Sequence, residues 1–295
     1  MILAVTGATG FVGGHLLDQA LAAGHRVRAL TRRPRPAREG VTWVTGDLLH
    51  PGPLAVGADA LIHVAGVVNA PDRAGFAQGN IDGTRAVLAA AQAAGVSRFV
   101  HVSSLAAREP ALSLYGWSKA EAEVLVERSS LGWSIVRPPA VIGPGDLEML
   151  DLFRAAQRGI APAPAGRFSV IAVEDLAALL LALAAAPADR AVYEADDATM
   201  GYSHARFARA IGRAVGHKVW VLPVPGALLS VAARADRLLR GAKAKLTPDR
   251  AAYIRHRDWT IDPVRRPPRD LWTPKRDTED VLVATAQWYR ANGLL

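Results

Sequence analysis

The stretch TGATGFVGGH, Thr6 to His15, decides how this chain is read. It follows the apolar run ILAV (2–5) and precedes LLDQALAAG (16–24), in which Leu16, Leu17, Ala20 and Leu21 recur at helical spacing before Gly24. A strand, a glycine turn and a helix in that order form the setting in which backbone approaches phosphate. The glycines Gly7, Gly10 and Gly13 are spaced G-x-x-G-x-x-G. Gly7 permits the tight turn, Gly10 lets backbone reach a pyrophosphate, and Gly13 allows helix and strand to pack closely. The helix start then offers free N–H groups and a positive dipole end to the phosphates. A glycine turn without a ligand is the weaker reading at this position. Gly7, Thr9, Gly10, Phe11, Val12 and Gly13 are therefore expected to hold a dinucleotide.

Outward from this turn, short β-rich runs alternate with alanine-rich helical patterns. VRAL (27–30), VTWV (41–44), ALIHVA (60–65), RFVHVSS (98–104) and WSIVRP (133–138) read as strands. DGTRAVLAAAQAAG (82–95) and SKAEAEVLVERS (118–129) read as helices. Runs apolar on both faces argue a parallel sheet covered on two sides, a doubly wound α/β domain. Past Pro138 the pattern loosens. GIAPAPAGR (159–167) reads as loop, VEDLAALLLALAAA (173–186) as an apolar helix returning to the sheet, and the chain beyond 188 as irregular, punctuated by prolines. The expected division is a dinucleotide-binding domain at 1–145, joined by a returning segment near 168–187. A smaller substrate-binding lobe and tail take 146–167 and 188–295.

The end of the second strand bears on the nucleotide. An NAD site usually offers an acid to the ribose about 20 residues past the glycines. Here the chain reads Leu30-Thr31-Arg32-Arg33, and guanidinium groups suit a 2′-phosphate. The expectation is NADP(H) in preference to NAD(H), with Arg32 and Arg33 at the phosphate.

Tyr115-Gly-Trp-Ser-Lys119 sets a phenol and an ammonium four residues apart, on one face if a helix begins there. A nearby cation stabilises phenolate and is expected to lower the tyrosine pKa. Ser103 and Ser104 end a strand at the carboxyl edge, where open α/β sheets bind ligands. Y-x-x-x-K alone is weak evidence, but beside the glycine turn and the serine pair it is strong.

With these motifs, the chain resembles the extended short-chain dehydrogenase/reductase family, in its epimerase/dehydratase-like branch. The similarity runs from Thr6 to about Asp175 and includes GDL (46–48), HVAG (63–66), NIDGT (80–84), VSS (102–104), RPPAVIGPGD (137–146) and VEDLA (173–177). The resemblance implies a Rossmann-type sheet and catalytic roles for Ser104, Tyr115 and Lys119. By it, Tyr115 exchanges the proton, Ser104 holds the substrate oxygen, and Lys119 binds ribose hydroxyls. It puts Asp47 and Leu48 beside the adenine, Ala65 and Gly66 on the path to the nicotinamide ribose, and Pro138 and Val141 near the nicotinamide amide. Asn80 matches a motif asparagine, with helix anchoring as one role. Two departures stand out. Only LAAREPALSL (105–114) separates Ser104 from Tyr115, with Arg108 where sugar-processing relatives carry a tyrosine, and V-Y-G-P becomes Val141-Ile142-Gly143-Pro144. A trimmed loop argues against a sugar nucleotide.

Composition narrows the remaining classes. The 295 residues contain no cysteine, so disulfides and thiolate chemistry are excluded. No apolar run reaches the ~18–20 residues of a membrane span. No signal peptide is read at the N-terminus, and the expected location is cytoplasmic, extending to the inner face of the membrane. Lys and Arg outnumber Asp and Glu by 35 to 27, without the motifs that would indicate nucleic acid. His63 and His101 read as packed strand residues and no metal site is expected, because no second ligand has suitable spacing.

VPGALLSVAARADRLLRGAKAKL (224–246) reads as an amphipathic helix with Leu228, Leu229, Val231, Leu238 and Leu239 on its apolar side. The ordinary reading makes those leucines core; the other lays the helix on an anionic membrane surface. The expected function is NADPH-dependent reduction of a hydrophobic ketone, of the 3-oxo-sphingoid or 3-oxo-ceramide type, by a monomer or homodimer. The alternatives are a sugar-nucleotide epimerase or dehydratase, and a non-catalytic NADP(H)-binding subunit.

Overall fold

The computed structural model of the protein describes residues 1–241 and 248–295. The chain begins β1 (Ile2–Thr6), α1 (Phe11–Ala22), β2 (Arg26–Thr31), β3 (Val41–Thr45), β4 (Ala60–His63), α2 (Arg73–Phe76) and α3 (Gly83–Ala93). It continues through β5 (Arg98–Val102), α4 (Leu114–Glu127), β6 (Gly132–Val136), β7 (Ala140–Ile142), α5 (Leu150–Gln157), β8 (Ile160–Pro164), β9 (Arg167–Phe168) and β10 (Val170–Ala172). Then come α6 (Val173–Ala185), β11 (Ala191–Tyr193), β12 (Tyr202–Ser203), α7 (His204–Val215), β13 (Trp220–Val224) and α8 (Gly226–Arg240). The last elements are α9 (Pro248–Arg255), β14 (Asp258–Trp259) and α10 (Thr278–Ala291).

Two compact units result. The first takes Met1–Pro138, Glu174–Ala195 and Pro263–Thr273. Its seven strands run in the order β11-β6-β5-β4-β1-β2-β3, and every pairing is parallel. This is a Rossmann-type doubly wound sheet, and the strand order reverses between β1 and β4. Leu61, Phe99 and Ile135 from the strands pack with Val87 and Leu88 of α3 and Val126 of α4. Because both faces are covered, β4 and β5 are buried at every position.

The second, smaller unit takes Pro139–Val173, Asp196–Asp262 and Pro274–Leu295. Its core joins Phe153 of α5, Phe207 and Ile211 of α7, and Leu282 and Tyr289 of α10. This region is more regular than its prolines suggest. Ser203 caps α7 by accepting the Arg206 N–H at 3.2 Å, and Gly216 closes it at φ 82°. The expected loop at 159–167 contains β8, paired in parallel with β13. Prolines are tolerated there because a two-stranded ribbon leaves one edge of each strand without a partner. α8 forms, but of the leucines expected on its apolar side Leu229 alone is half-buried. Leu228, Val231, Leu238 and Leu239 are exposed, and Ala233 is the one described α8 residue that is fully buried. The end of the expected helix, 242–246, lies outside the described residues.

Candidate active site

The glycine turn joins β1 to α1 at the switch point of the sheet. Gly7 has φ +75°, and a Cβ there would stand 2.8 Å from the Ala65 nitrogen in the loop after β4. The Gly10 N–H donates to the Gly7 carbonyl at 2.9 Å. A Cβ on Gly13 would fall 2.0 Å from that same carbonyl oxygen. Thr9 and Gly10 are exposed, and Phe11 and Val12 are half-buried in the first turn of α1. No side chain caps α1, and its first turn carries no acid. The turn therefore fits a dinucleotide, offering uncapped N–H groups from a turn so tight that the chain's own backbone leaves no room for a Cβ at Gly7 or Gly13. Thr6 fixes the neighbouring loop, its Oγ1 accepting from the Ala65 N–H at 3.2 Å and bonded to His63 Nδ1 at 2.7 Å.

A second group assembles from the ends of β5 and the start of α4. Ser113 accepts the Gly116 N–H at 2.9 Å, so α4 begins four residues earlier than its apolar pattern indicates. That cap puts Tyr115 in the first turn of the helix and Lys119 one turn later on the same face. The Ser104 hydroxyl stands close enough to the Tyr115 phenol to act on its titration. It also opens the short 3₁₀ turn Leu105–Arg108 by accepting the Ala106 N–H at 3.2 Å. Lys119 is buried and donates to the Val102 carbonyl at 2.7 Å. Gly66 lies alongside, where a Cβ would be 3.6 Å from Lys119 Nζ.

The titration of this group differs in one respect from expectation. The Tyr115 phenol is raised above its usual value, not lowered, because its burial outweighs the influence of Ser104. Lys119 is lowered to about 8 by burial, opposed by the Glu123 carboxylate. With the Lys119 ammonium bonded to a strand carbonyl, its charge does not dominate the phenol.

Behind Ser104 and Lys119 lies a buried ionic network that sequence reading missed. Glu123, four residues after Lys119, accepts from the Ser103 hydroxyl and from Arg137 Nε at 2.9 Å and Nη2 at 2.6 Å. Arg137 also stands 3.6 Å from Glu194, which pairs with Arg108 at 3.2 Å. The i, i+4 spacing of Lys119 and Glu123 was the available signal; Glu194, which follows β11, offered none. Asn80 is buried and clamps the Val67 backbone from both sides, at 2.7 and 2.9 Å, while donating to Ser118 of α4 at 2.8 Å. It anchors a loop as well as a helix. His63 and His101 stack at 5.3 Å in the sheet, and burial together with Lys119 pushes both below the usual histidine range, His63 to about 3.

The remaining residues are more scattered. Leu48 packs where a Cβ on Gly83 would meet it at 2.9 Å. Asp47 is exposed and accepts the His50 N–H at 2.8 Å, which holds its carboxyl below the usual range. Pro138 is buried, and its carbonyl accepts from the Leu105 N–H at 3.1 Å. Val141 belongs to the second unit, paired with Ile171 across β7 and β10. Arg32 and Arg33 are exposed at the end of β2, and no hydrogen bond or ion pair holds either guanidinium among the described residues.

Sheet order, glycine cradle and the serine–tyrosine–lysine group define an NAD(P)-linked oxidoreductase of the extended short-chain dehydrogenase/reductase type. The chain belongs to the NAD(P)H-binding family whose model matches residues 7–187. Among its relatives, a ceramide reductase from Caulobacter vibrioides is 40% identical over 308 aligned residues, covering 100% of this chain and 96% of that protein. A putative dihydroflavonol 4-reductase from Synechocystis is 35% identical but covers 49% of this chain and 50% of its own. Among solved structures, MoeE5 in complex with UDP-glucose and NAD superposes with a TM-score of 0.74 at 21% identity, covering 99% of both chains.

The expected preference for NADP(H) is overturned by these structures. MoeE5 holds NAD, as do the structures of this fold from Bordetella bronchiseptica and Streptomyces venezuelae described as dinucleotide complexes. The physical reason lies in what the missing acid decides. Without it, Arg32 and Arg33 would have to form a phosphate site themselves, and no hydrogen bond or ion pair among the described residues fixes either exposed guanidinium in place.

Proposed function

We propose that the protein uses NAD(H) to interconvert a ketone and a secondary alcohol on a hydrophobic, lipid-like substrate of the 3-oxo-sphingoid or 3-oxo-ceramide type. One observation carries the chemistry: the Ser104 hydroxyl stands beside the Tyr115 phenol at the carboxyl edge of the sheet, with Lys119 one turn further along α4. The full-length likeness to a ceramide reductase supports the substrate class.

Gly7, Thr9, Gly10, Phe11, Val12 and Gly13 would hold the pyrophosphate, Asp47 and Leu48 the adenine, and Ala65 and Gly66 the second ribose. Pro138 and Val141 would border the nicotinamide. The bound cofactor supplies or accepts the hydride. Ser104 donates to the substrate oxygen and Tyr115 gives that oxygen its proton in reduction. Lys119, its charge retained below about pH 8, stabilises the phenolate left on Tyr115 and directs its remaining N–H groups to ribose hydroxyls. The lobe at 146–167 and 188–295 would select the substrate, and the protein would work in the cytoplasm.

A second reading, sugar-nucleotide epimerisation or dehydration, is the one the solved structures favour, since MoeE5 is described with UDP-glucose and with UDP-glucuronic acid. The test is an NADH-oxidation screen against long-chain 3-oxo lipids, small ketones and UDP-sugars. Lipid-dependent oxidation that falls at least ~10²-fold in Tyr115→Phe, with NAD affinity kept, supports the first reading. A rearranged sugar without net NADH consumption replaces it with the second.

A further inference from the structure

The second unit carries an apolar surface that its own fold does not use. α8 has fifteen residues, about 22 Å of helix. Leu228, Val231, Ala235 and Leu238 recur at three- and four-residue spacing and so form one stripe along it, with Leu239 and Ala232 on its flank. On a wheel of about 100° per residue this stripe faces away from Ala233. Ala233 is buried, whereas Leu228 is 57%, Val231 61%, Leu239 83% and Leu238 88% exposed. Nearby in sequence, the β8–β13 ribbon turns a second apolar face outward. Trp220 is 74% and Leu222 50% exposed on one side of β13, and Trp220 is in register with Ile160, itself 47% exposed. Four large aliphatic side chains on one exposed helix face exceed the scatter of single apolar residues that a protein surface tolerates.

The charge of the chain in and beside α8 bears on what would cover this surface. Residues 196–262 carry twelve Lys and Arg against six Asp and Glu. Arg234 is exposed at one margin of the stripe, whereas Arg240, paired with Asp236 at 3.2 Å, lies on the Ala233 side of the helix. A second copy of the chain docked on this face would bring two such excesses together. An anionic lipid surface would neutralise them while taking up the leucines. No described helix is long and apolar enough to cross a membrane, so the fitting geometry is a helix lying in the interface.

We propose that α8 is an interfacial anchor: its Leu228–Val231–Leu238–Leu239 face lies among the acyl chains of an anionic bilayer, with Arg234 at the headgroup phosphates. The inference stands apart from the choice of substrate. A lipid substrate would be met at the surface where it resides, but the anchor needs only the exposed stripe and the charge.

The test is sedimentation of the full chain with phosphatidylcholine vesicles, with and without phosphatidylglycerol, at low and high salt. Binding should require phosphatidylglycerol and weaken with salt. The double variant Leu238→Glu/Leu239→Glu should lose binding at least ~10-fold, with circular dichroism, thermal midpoint and NAD affinity unchanged. Arg234→Glu should weaken binding through charge alone. Three outcomes overturn the proposal: no sedimentation of the wild type, equal binding to neutral vesicles, or binding indifferent to the double variant. So does concentration-dependent dimerisation abolished by that variant without any vesicle binding, which would make a second copy the occupant.

Discussion

Removing the carboxylate of Glu123 tests whether the buried network supports both the fold and the catalytic group. Glu123 accepts three hydrogen bonds, from the Ser103 hydroxyl and from two nitrogens of Arg137 at 2.9 and 2.6 Å. The side chains of Glu123 and Arg137 are 5% and 15% exposed, so solvent cannot replace what is lost. Breaking a buried pair from one side costs about 3–5 kcal/mol, because the partner stays buried and unpaired. Arg137 keeps Glu194 at 3.6 Å, which places Glu123→Ala near the low end, about 3 kcal/mol, a fall of roughly 6–12 °C in thermal midpoint. Arg137→Leu should cost a similar amount, since it strands the Glu123 carboxylate. The double variant should fall well short of the sum, with a coupling on the order of 2 kcal/mol. The isosteric Glu123→Gln separates structure from catalysis. Glu123 raises the Lys119 pKa against the burial that lowers it to about 8. Losing that carboxylate therefore moves the alkaline limb of the pH–rate profile to lower pH, while Glu123→Asp restores it toward the wild type. A Glu123→Ala midpoint within about 2 °C of wild type, or an additive double variant, would refute the reasoning.

Two further outcomes follow from local geometry. Gly13→Ala would bring a Cβ to 2.0 Å from the Gly7 carbonyl oxygen, a backbone atom that cannot swing aside. About 1–3 kcal/mol of overpacking should weaken NAD binding by roughly ten- to a hundredfold, measured by calorimetry; unchanged affinity would show that the turn is not the cradle. Asp146 is buried and raised from 3.8 to about 6 by that burial. A raised carboxyl favours the folded state fully below its unfolded pKa, and that contribution is lost as pH rises through the folded one. Asp146→Asn should therefore gain stability relative to wild type between about pH 4 and pH 6. A difference that stays constant across that window in denaturant titrations would contradict the assignment.

The sequence by itself determined the Rossmann sheet, the glycine turn and the pair Tyr115 and Lys119. These rest on short-range physics: period-two and period-3.6 apolar patterns, glycines where a Cβ would collide, and two side chains one helical turn apart. The nearness of Ser104 to Tyr115 was half legible, because Ser104 follows a strand, but the cap at Ser113 that starts the helix of Tyr115 is a local signal the apolar pattern hid. Tertiary structure alone decided the rest. Glu123, Arg137, Glu194 and Arg108 meet across segments up to 86 residues apart, and no spacing along the chain encodes such a meeting. The direction of the Tyr115 shift depended on burial, a property of the assembled site that outweighed the influence of Ser104. The outward face of α8 was undecidable from its periodicity, because an amphipathic pattern states that one side is apolar and not what lies against it.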